Sequence, residues 1–449
     1  VESLGDWRRD KYVNEVTEDD YDKELVFMGW VQDIMVLGKI SFIILRDRGG
    51  TVQVVMSRNE IGANRYNFLK KLPRESVIAV KGVVVPNPQV QQGFEIQCKE
   101  IRVLNLAKSP LPISVDGQVR ANMDTRLDWR FLDLRKPEVQ AIFKIRSTVL
   151  SAMRDILLEE GFIEIHTPKI VATATEGGTA LFKMKYFDRV AYLNQSPQLF
   201  KQSMMATGLD RVFEIGPAFR AEEHDTLRHL NEYTSIDIEM AFSDENDAME
   251  VLERLVVRVY GKVLAENYSD LQTLNVEHTV PEPPFKRVKY SELIERLQNE
   301  GLEVEDERSG QKRLIEWGDD IPLEGMKLIA ERYKSLYFIT HWPTSLKPFY
   351  IMPLEGDEEV SHAFDLNYAE KELASGGQRI HLPDLLRTRL EENGLTPENF
   401  TFYLNAFEYG MPPHAGWGLG AERFLMVLTG VKNVREAVLF PRDKKRLVP

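Results

Sequence analysis

Between residues 24 and 106 the chain breaks into five short runs rich in Val, Ile and Phe: "ELVFMGWVQDI", "KISFIILRDR", "GTVQVVMS", "SVIAVKGVVV" and "GFEIQCKEIRVLNL". Gly, Pro and Asn separate them, the usual punctuation of short strands. Several short strands at even spacing in so small a stretch predict a barrel, and a five-stranded OB-fold is the compact solution. The proline-rich "AKSPLPISVDG" at 107–117 then reads as a linker. The expected division is a barrel over 1–106, a hinge over 107–135 and a larger domain over 136–449.

The texture changes after the linker. In "KPEVQAIFKIRSTVLSAMRDILLEEGF", Val139, Ile142, Ile145, Val149, Met153, Ile156 and Leu157 fall on one helical face. Pro137 suits the first turn and Gly161 the end, so a helix is expected over 138–160. A second amphipathic helix is expected near 246–265 and a third near 383–393. Between them lies "TSIDIEMAF", where Ile236, Asp237, Ile238, Glu239 and Met240 alternate strictly. A strand sends successive side chains to opposite faces, so this run has one apolar face and one carrying two carboxylates. Either that polar face is a solvated surface or it is the floor of a binding site. Strands mixed with helices make the whole chain α+β.

Composition limits the alternatives. With 43% hydrophobic and 28% charged residues in 449, the chain has the make-up of a globular protein with more than one domain. The net charge of −13 argues against a surface basic throughout but leaves room for a local patch. Cys98, the single cysteine, excludes an internal disulfide and a multi-cysteine zinc site. No apolar run approaches a membrane span and the start lacks a signal-peptide core, so reducing cytoplasm is the expected setting.

Several clusters carry chemistry-bearing groups. "FRAEEHDTLRHLNE" holds Arg220, Glu222, Arg228 and His229 in a polar loop between two strands, and an arginine fork suits phosphate or carboxylate. "ATATEGG" offers Glu176, "QSPQLFKQ" offers Gln198 and Lys201, and "ELASGGQRIH" offers Glu372, Ser375 and Arg379. "GWGLGAERF" sets glycines before a helix that carries Arg423, without the G-K-[ST] of a P-loop. In the barrel, Phe42 and Gln53 could stack on and read an unpaired base. Each cluster taken alone also fits solvated loops and turn glycines.

Together, "HTPKI", "FRAEEHDTLRHLNE" and "GWGLGAERF" resemble the three signature motifs of class II aminoacyl-tRNA synthetases. The barrel resembles the anticodon-binding domain of the aspartate/asparagine/lysine subgroup. "ATATEGG", "QSPQLFK", "SIDIEMAF", "SGGQR", "YGMPPHAG" and "FPRDKKRLVP" resemble the archaeal type of aspartyl-tRNA synthetase. The resemblance covers nearly the whole chain and implies an antiparallel catalytic sheet flanked by helices, with the substrates on its polar face.

What the resemblance implies can be carried over position by position. Arg220 and Arg423 would be the catalytic cations, Arg220 on the α-phosphate and the amino acid's carboxylate, Arg423 toward the γ-phosphate and adenine. Tyr233 would stack on the other adenine face. Glu222, Arg228, His229, Leu230, Gly420, Ala421 and Glu422 would complete the ATP pocket. Glu372 and Ser375 would serve magnesium as well as ATP and aspartate. Glu176, Asp237 and Gln198 would hold the ammonium of L-aspartate, with Lys201 and Arg379 on its side-chain carboxylate. Two buried cations facing a neutral asparagine would be left uncompensated, at a cost of about 3–5 kcal/mol. Pro168 in "HTPKI" implies a homodimer.

Phe42, Gln53 and Glu95 match anticodon-binding positions. The chain departs from tRNA(Asp)-specific members at Gln32, where they carry tryptophan, and at Gln91, where they tend to lysine. These departures point to an enzyme that charges tRNA(Asn) as well. The rival readings are an asparaginyl-tRNA synthetase, a non-catalytic RNA-binding paralogue and a free-standing amidating ligase. Asp237 stands against the first, the retained Arg220, Arg423 and barrel against the second, and an otherwise idle barrel against the third.

Overall fold

The computed structural model describes residues 1–449 apart from 118, 120, 173–180, 224–225 and 307–309. The chain divides into two compact units, Val1–Thr125 and Arg126–Pro449. In the first, β1 (Glu24–Leu37), β2 (Ile40–Asp47), β3 (Gly50–Ser57), β4 (Val77–Pro86) and β5 (Phe94–Asn105) close a barrel in the order β1-β2-β3-β5-β4. Alternation decides what fills it. Ile43, Leu45, Val52, Val54, Ile96 and Cys98 point inward and are buried, while the residues between them face outward. The five expected strands are all present.

The division falls inside the segment expected to be a hinge. Residues 126–135 fold with the second unit, because Arg130 is buried against the C-terminal stretch. Its Nε donates to Leu439 O (2.9 Å), its Nη2 to Val438 O (2.8 Å) and its Nη1 to Asp133 (2.9 Å). Asp133, fully buried, also accepts from Arg126 and Lys136. Burial opposes its ionisation, but these cations hold its carboxyl below the usual range.

Helix α1 (Pro137–Glu159) begins with proline in its first turn, and Gly161 beyond it adopts φ +82°, a conformation glycine reaches without strain. The elements that build the site follow: β6 (Ile163–Glu164), α2 (Gln198–Met204), β7 (Arg211–Phe219), β8 (Glu232–Ala241) and α3 (Glu245–Glu266). The side chain of Asp244 caps α3, accepting from the backbone of Asn246 and Asp247. Then come β9 (Lys286–Lys289), β10 (Leu336–Thr340), β11 (Ala363–Tyr368), β12 (Lys371–Arg379), β13 (His414–Gly420) and α4 (Ala421–Thr429).

The strands form one sheet in the order β9-β10-β11-β12-β13-β8-β7-β6. Its six central strands are antiparallel, as expected, and one parallel strand is added at each edge, β9 beside β10 and β6 beside β7. Ile236, Ile238 and Met240 of β8 join Trp417 and Leu419 of β13 in one core with α1, α3 and α4. The helices therefore cover the apolar face, and the opposite face is free to hold polar groups. Among the described residues no helix is long and apolar enough to cross a membrane.

Candidate active site

The antiparallel register writes the polar face in rows. Asp237 of β8 lies opposite Gly418 of β13, Gly418 opposite Ser375 of β12, and Ser375 opposite Asp365 of β11. One step along, Glu239 lies opposite Gly416, and Gly416 opposite Gly377. The glycines open a trough between the charged groups. A Cβ on Gly416 would come within 2.4 Å of Glu239 Oε2, and one on Gly418 within 3.0 Å of Asp237 Oδ1. The polar side chains of β8 thus floor a buried trough and not a solvated surface.

Over this trough lies a cavity of about 320 Å³, at the lower end of the range for small-ligand sites. Fourteen of the residues singled out in the sequence line it, from Gln198 and Arg220 through Tyr233, Asp237 and Glu372 to Arg423. Glu372 and Ser375 are three apart, which on a regular strand would place them on opposite faces. A bulge in β12 corrects this: Glu372 pairs with Asn367 and Ala374 with Leu366, so one extra residue turns both side chains to the cavity.

One end of the cavity is cationic. The Arg220 guanidinium lies 5.6 Å from the centre of the Tyr233 ring. Arg228 reaches Glu370 (3.3 Å), and Arg423 donates to the backbone oxygen of Glu372 (3.4 Å). His229 bonds Thr226 through Nδ1 (2.6 Å) and approaches Glu222 through Nε2 (3.7 Å). Burial lowers the His229 pKa; Glu222 pulls it up, while Arg423, Arg220 and Arg228 push it further down. A neutral imidazole among three arginines is a setting for phosphate oxygens.

The other end is a closed charge network. Lys201 of α2, 1% exposed, donates to Asp237 Oδ1 (3.0 Å), Ile238 O (3.1 Å) and Trp417 O (3.1 Å). Glu239, fully buried, receives Nε (2.9 Å) and Nη2 (3.3 Å) of Arg379 and lies 3.4 Å from Lys201. Burial opposes its charge, yet Arg379 and Lys201 hold its carboxyl below the usual range. Ser235 donates to Asp237 Oδ2.

The expectation of two uncompensated cations is therefore corrected. Two carboxylates neutralise Lys201 and Arg379, because isolated charges at this depth would be too costly to desolvate. Arg379 lines the cavity and Lys201 does not. One other candidate differs from the reading by motif: Ala421 is buried away from the cavity. Glu422 lines the cavity and also fixes α4 to β8, accepting from the Thr234 backbone (3.1 Å) and from Arg146 (2.8 Å). Glu176 lies outside the described residues.

The sequence reading missed Asp365 and Lys347. Asp365, 3% exposed, accepts from Lys347 Nζ (2.6 Å), and its Oδ1 has no hydrogen-bond partner among the described residues. Burial raises its pKa against the pull of Lys347, and the nearby charge of Glu372 adds to the rise. An orphaned buried carboxylate oxygen beside Glu372 and Ser375 makes a set of hard oxygen donors. That set fits magnesium, which prefers oxygen and leaves positions for substrate phosphates. Among the described residues no three His, Cys, Asp or Glu side chains gather closely enough to cage a metal alone. The only sequence signal for Asp365 is its place in the alternating run "HAFDLNY".

On the barrel, Phe42 and Gln53 sit half-buried on the outer face of adjacent strands. Gln53 Nε2 donates to Glu95 Oε2 (2.9 Å), which also accepts from Asn87 (2.7 Å). Gln91 is exposed in the β4–β5 turn. Gln32 is the extra residue of a bulge in β1 and lines a second cavity with the buried pair Arg46–Glu75.

These features agree with the comparisons. Residues 122–444 match the family described as tRNA synthetases class II (D, K and N), and residues 25–104 match the OB-fold nucleic acid binding domain. The aspartate–tRNA(Asp/Asn) ligase of Methanocaldococcus jannaschii is 53% identical over 443 residues, 99% of each chain. That of Methanothermobacter thermautotrophicus is 52% identical over 446 residues, 99% of this chain and all of the relative. Among solved structures, asparaginyl-tRNA synthetase from Pyrococcus horikoshii complexed with asparaginyl-adenylate aligns with TM-score 0.91 at 34% identity, covering 98% of this chain and 100% of that one. The aspartyl-tRNA synthetase of Entamoeba histolytica aligns with TM-score 0.84 at 31% identity, covering 98% and 92%. The chain belongs to the class II aminoacyl-tRNA synthetases of the aspartate, lysine and asparagine group.

Proposed function

We propose that this protein ligates L-aspartate to tRNA through an aspartyl-adenylate and accepts both tRNA(Asp) and tRNA(Asn). The observation that carries the amino-acid choice is Arg379. Glu239 takes its Nε and Nη2, and the side chain lines the cavity. A guanidinium only donates. Aspartate offers it two acceptor oxygens, whereas asparagine turns an NH2 donor toward it. Discrimination thus rests on hydrogen-bond polarity, with Lys201 adding positive charge from behind Asp237. Asp237, Gln198 and Glu176 receive the ammonium.

In the first step the α-carboxylate of aspartate attacks the α-phosphorus of ATP and pyrophosphate leaves. The nucleophile is already ionised at neutral pH, so positioning and charge neutralisation supply the catalysis. Arg220 bridges the reacting carboxylate and α-phosphate, Tyr233 supports the adenine, and Arg228, His229 and Arg423 receive the outer phosphates. A neutral His229 can donate to a phosphate oxygen without needing a carboxylate partner. Magnesium, held by Glu372, Ser375 and Asp365, would neutralise phosphate charge. In the second step a ribose hydroxyl of the tRNA's terminal adenosine attacks the activated carbonyl and AMP leaves.

The tRNA choice is supported by Gln32 and Gln91 and by the relatives of about half identity, which are ligases for both tRNAs. Phe42, Gln53 and Glu95 meet the anticodon. A homodimer is supported by Leu158, Ile163 and Ile170, apolar side chains left exposed around motif 1; sedimentation at twice the chain mass is expected. ATP–pyrophosphate exchange with each amino acid supplied separately tests the reading. Exchange with aspartate alone is expected, and exchange driven by asparagine would overturn it.

A further inference from the structure

Behind the cavity a chain of buried hydrogen bonds has a direction that chemistry fixes. His414 Nδ1 lies 2.8 Å from Pro412 O. A carbonyl oxygen can only accept, so Nδ1 carries the ring proton. Burial pushes the His414 pKa down to about 4, with Glu239 pulling up and Arg379 pulling down, so the ring is neutral at pH 7. Its Nε2 is then a bare acceptor, and the group 3.0 Å away must be the NH2 of Gln202.

Gln202 Oε1 is thereby turned the other way. It accepts from Gln198 Nε2 (2.9 Å) and from the Tyr403 hydroxyl (3.0 Å). Gln202, Tyr403 and His414 are completely buried and Gln198 is 4% exposed, so water offers no alternative partners. Gln198 also lines the cavity. With its nitrogen committed inward, its Oε1 is the end left for a ligand.

We propose that Pro412, His414 and Gln202 form a polarity relay that locks the Gln198 amide with its oxygen toward the cavity, making it an acceptor for the α-ammonium of the amino acid. Gln202 and His414 are positioning residues that touch no substrate. The flipped amide would meet the ammonium with N–H groups, and it is excluded because it would face Gln202 Oε1 with a second acceptor. This inference rests on the reading that the amino acid's ammonium binds at Asp237 and Gln198.

A double-mutant cycle on the full chain tests it, read as KM in ATP–pyrophosphate exchange. Gln202→Met keeps the volume and removes the relay. It is expected to raise KM for aspartate by about tenfold, the scale of one hydrogen bond to a charged group, with KM for ATP within about twofold. On a Gln198→Met background the same change is expected to add less than about twofold, because its effect passes through Gln198. An unchanged aspartate KM in Gln202→Met overturns the proposal. So does a penalty that persists undiminished on the Gln198→Met background, since that marks a packing role. Should Gln202→Met not fold, His414→Met frees the Gln202 amide to flip and is expected to raise aspartate KM by about threefold. No rise there overturns the proposal equally. A wild-type enzyme that does not exchange with aspartate would instead overturn the functional reading beneath it.

Discussion

On the barrel, Gln53, Glu95 and Asn87 form a half-buried hydrogen-bonded trio on an outer face. On the larger unit's sheet, Lys201, Asp237, Glu239 and Arg379 are all buried and set charge against charge. Both groups present polarity to a ligand, but they stand differently toward the fold. A half-exposed trio can exchange its internal bonds for bonds to a base, and losing one member costs the protein little. A buried network has no water to fall back on, so losing one member strands the others. Recognition of tRNA should therefore be separable from stability, and recognition of the amino acid should not.

The sharpest test of that difference is Glu239→Gln. It leaves two buried cations sharing Asp237, and a loss of about 3–5 kcal/mol is expected in denaturant unfolding of the second unit, together with loss of exchange. Glu95→Gln on the barrel should cost under about 1 kcal/mol and leave exchange intact. Equal losses from the two changes would break the comparison.

Acid provides the next contrast. All eight histidines lie beyond Thr125, so the barrel has none. His414 takes up its proton near pH 4 when folded but near its ordinary value of 6.5 when unfolded. The unfolded chain binds more protons between those values, so the stability tied to the neutral ring is complete above 6.5 and is lost as pH falls toward 4. The loss amounts to about 3 kcal/mol. Unfolding of wild type and His414→Gln across this window should show the dependence in the wild type and a flatter curve in the variant.

Smaller effects belong to the barrel. Phe42→Ala is expected to weaken tRNA binding by about 1–3 kcal/mol, the worth of one stacked base, with exchange and unfolding unchanged. Gln32→Trp is expected to lower charging of tRNA(Asn) about tenfold relative to tRNA(Asp), measured as the ratio of kcat/KM values. A change in aspartate KM from either substitution would join what the comparison separates.

The same contrast explains how much could be read from sequence. Periodicity and punctuation located the five barrel strands and the long helices, because propensity, Pro137 and Gly161 act locally. The alternation from Ile236 to Met240 revealed a two-faced strand for the same reason. Its pairing was not legible: Lys201 meets Asp237 across 36 positions, and Arg379 meets Glu239 across 140. "GWGLGAERF" placed Glu422 at the cavity, but its bonds to Arg146 and the Thr234 backbone were not legible. The bulge that aligns Glu372 with Ser375 has no distinctive composition, and neither does the run holding Asp365. Residues 126–135 were grouped with the proline-rich linker before them, because the burial of Arg130 depends on carbonyls some three hundred residues away.

The measurement that bears most directly on the division of labour is aminoacylation of tRNA(Asp) and tRNA(Asn), each with labelled aspartate and labelled asparagine. If the buried floor chooses the amino acid and the barrel chooses the tRNA, aspartate will be attached to both tRNAs and asparagine to neither. Asparagine on either tRNA would contradict the role given to Arg379, and aspartate on tRNA(Asp) alone would contradict the reading of Gln32.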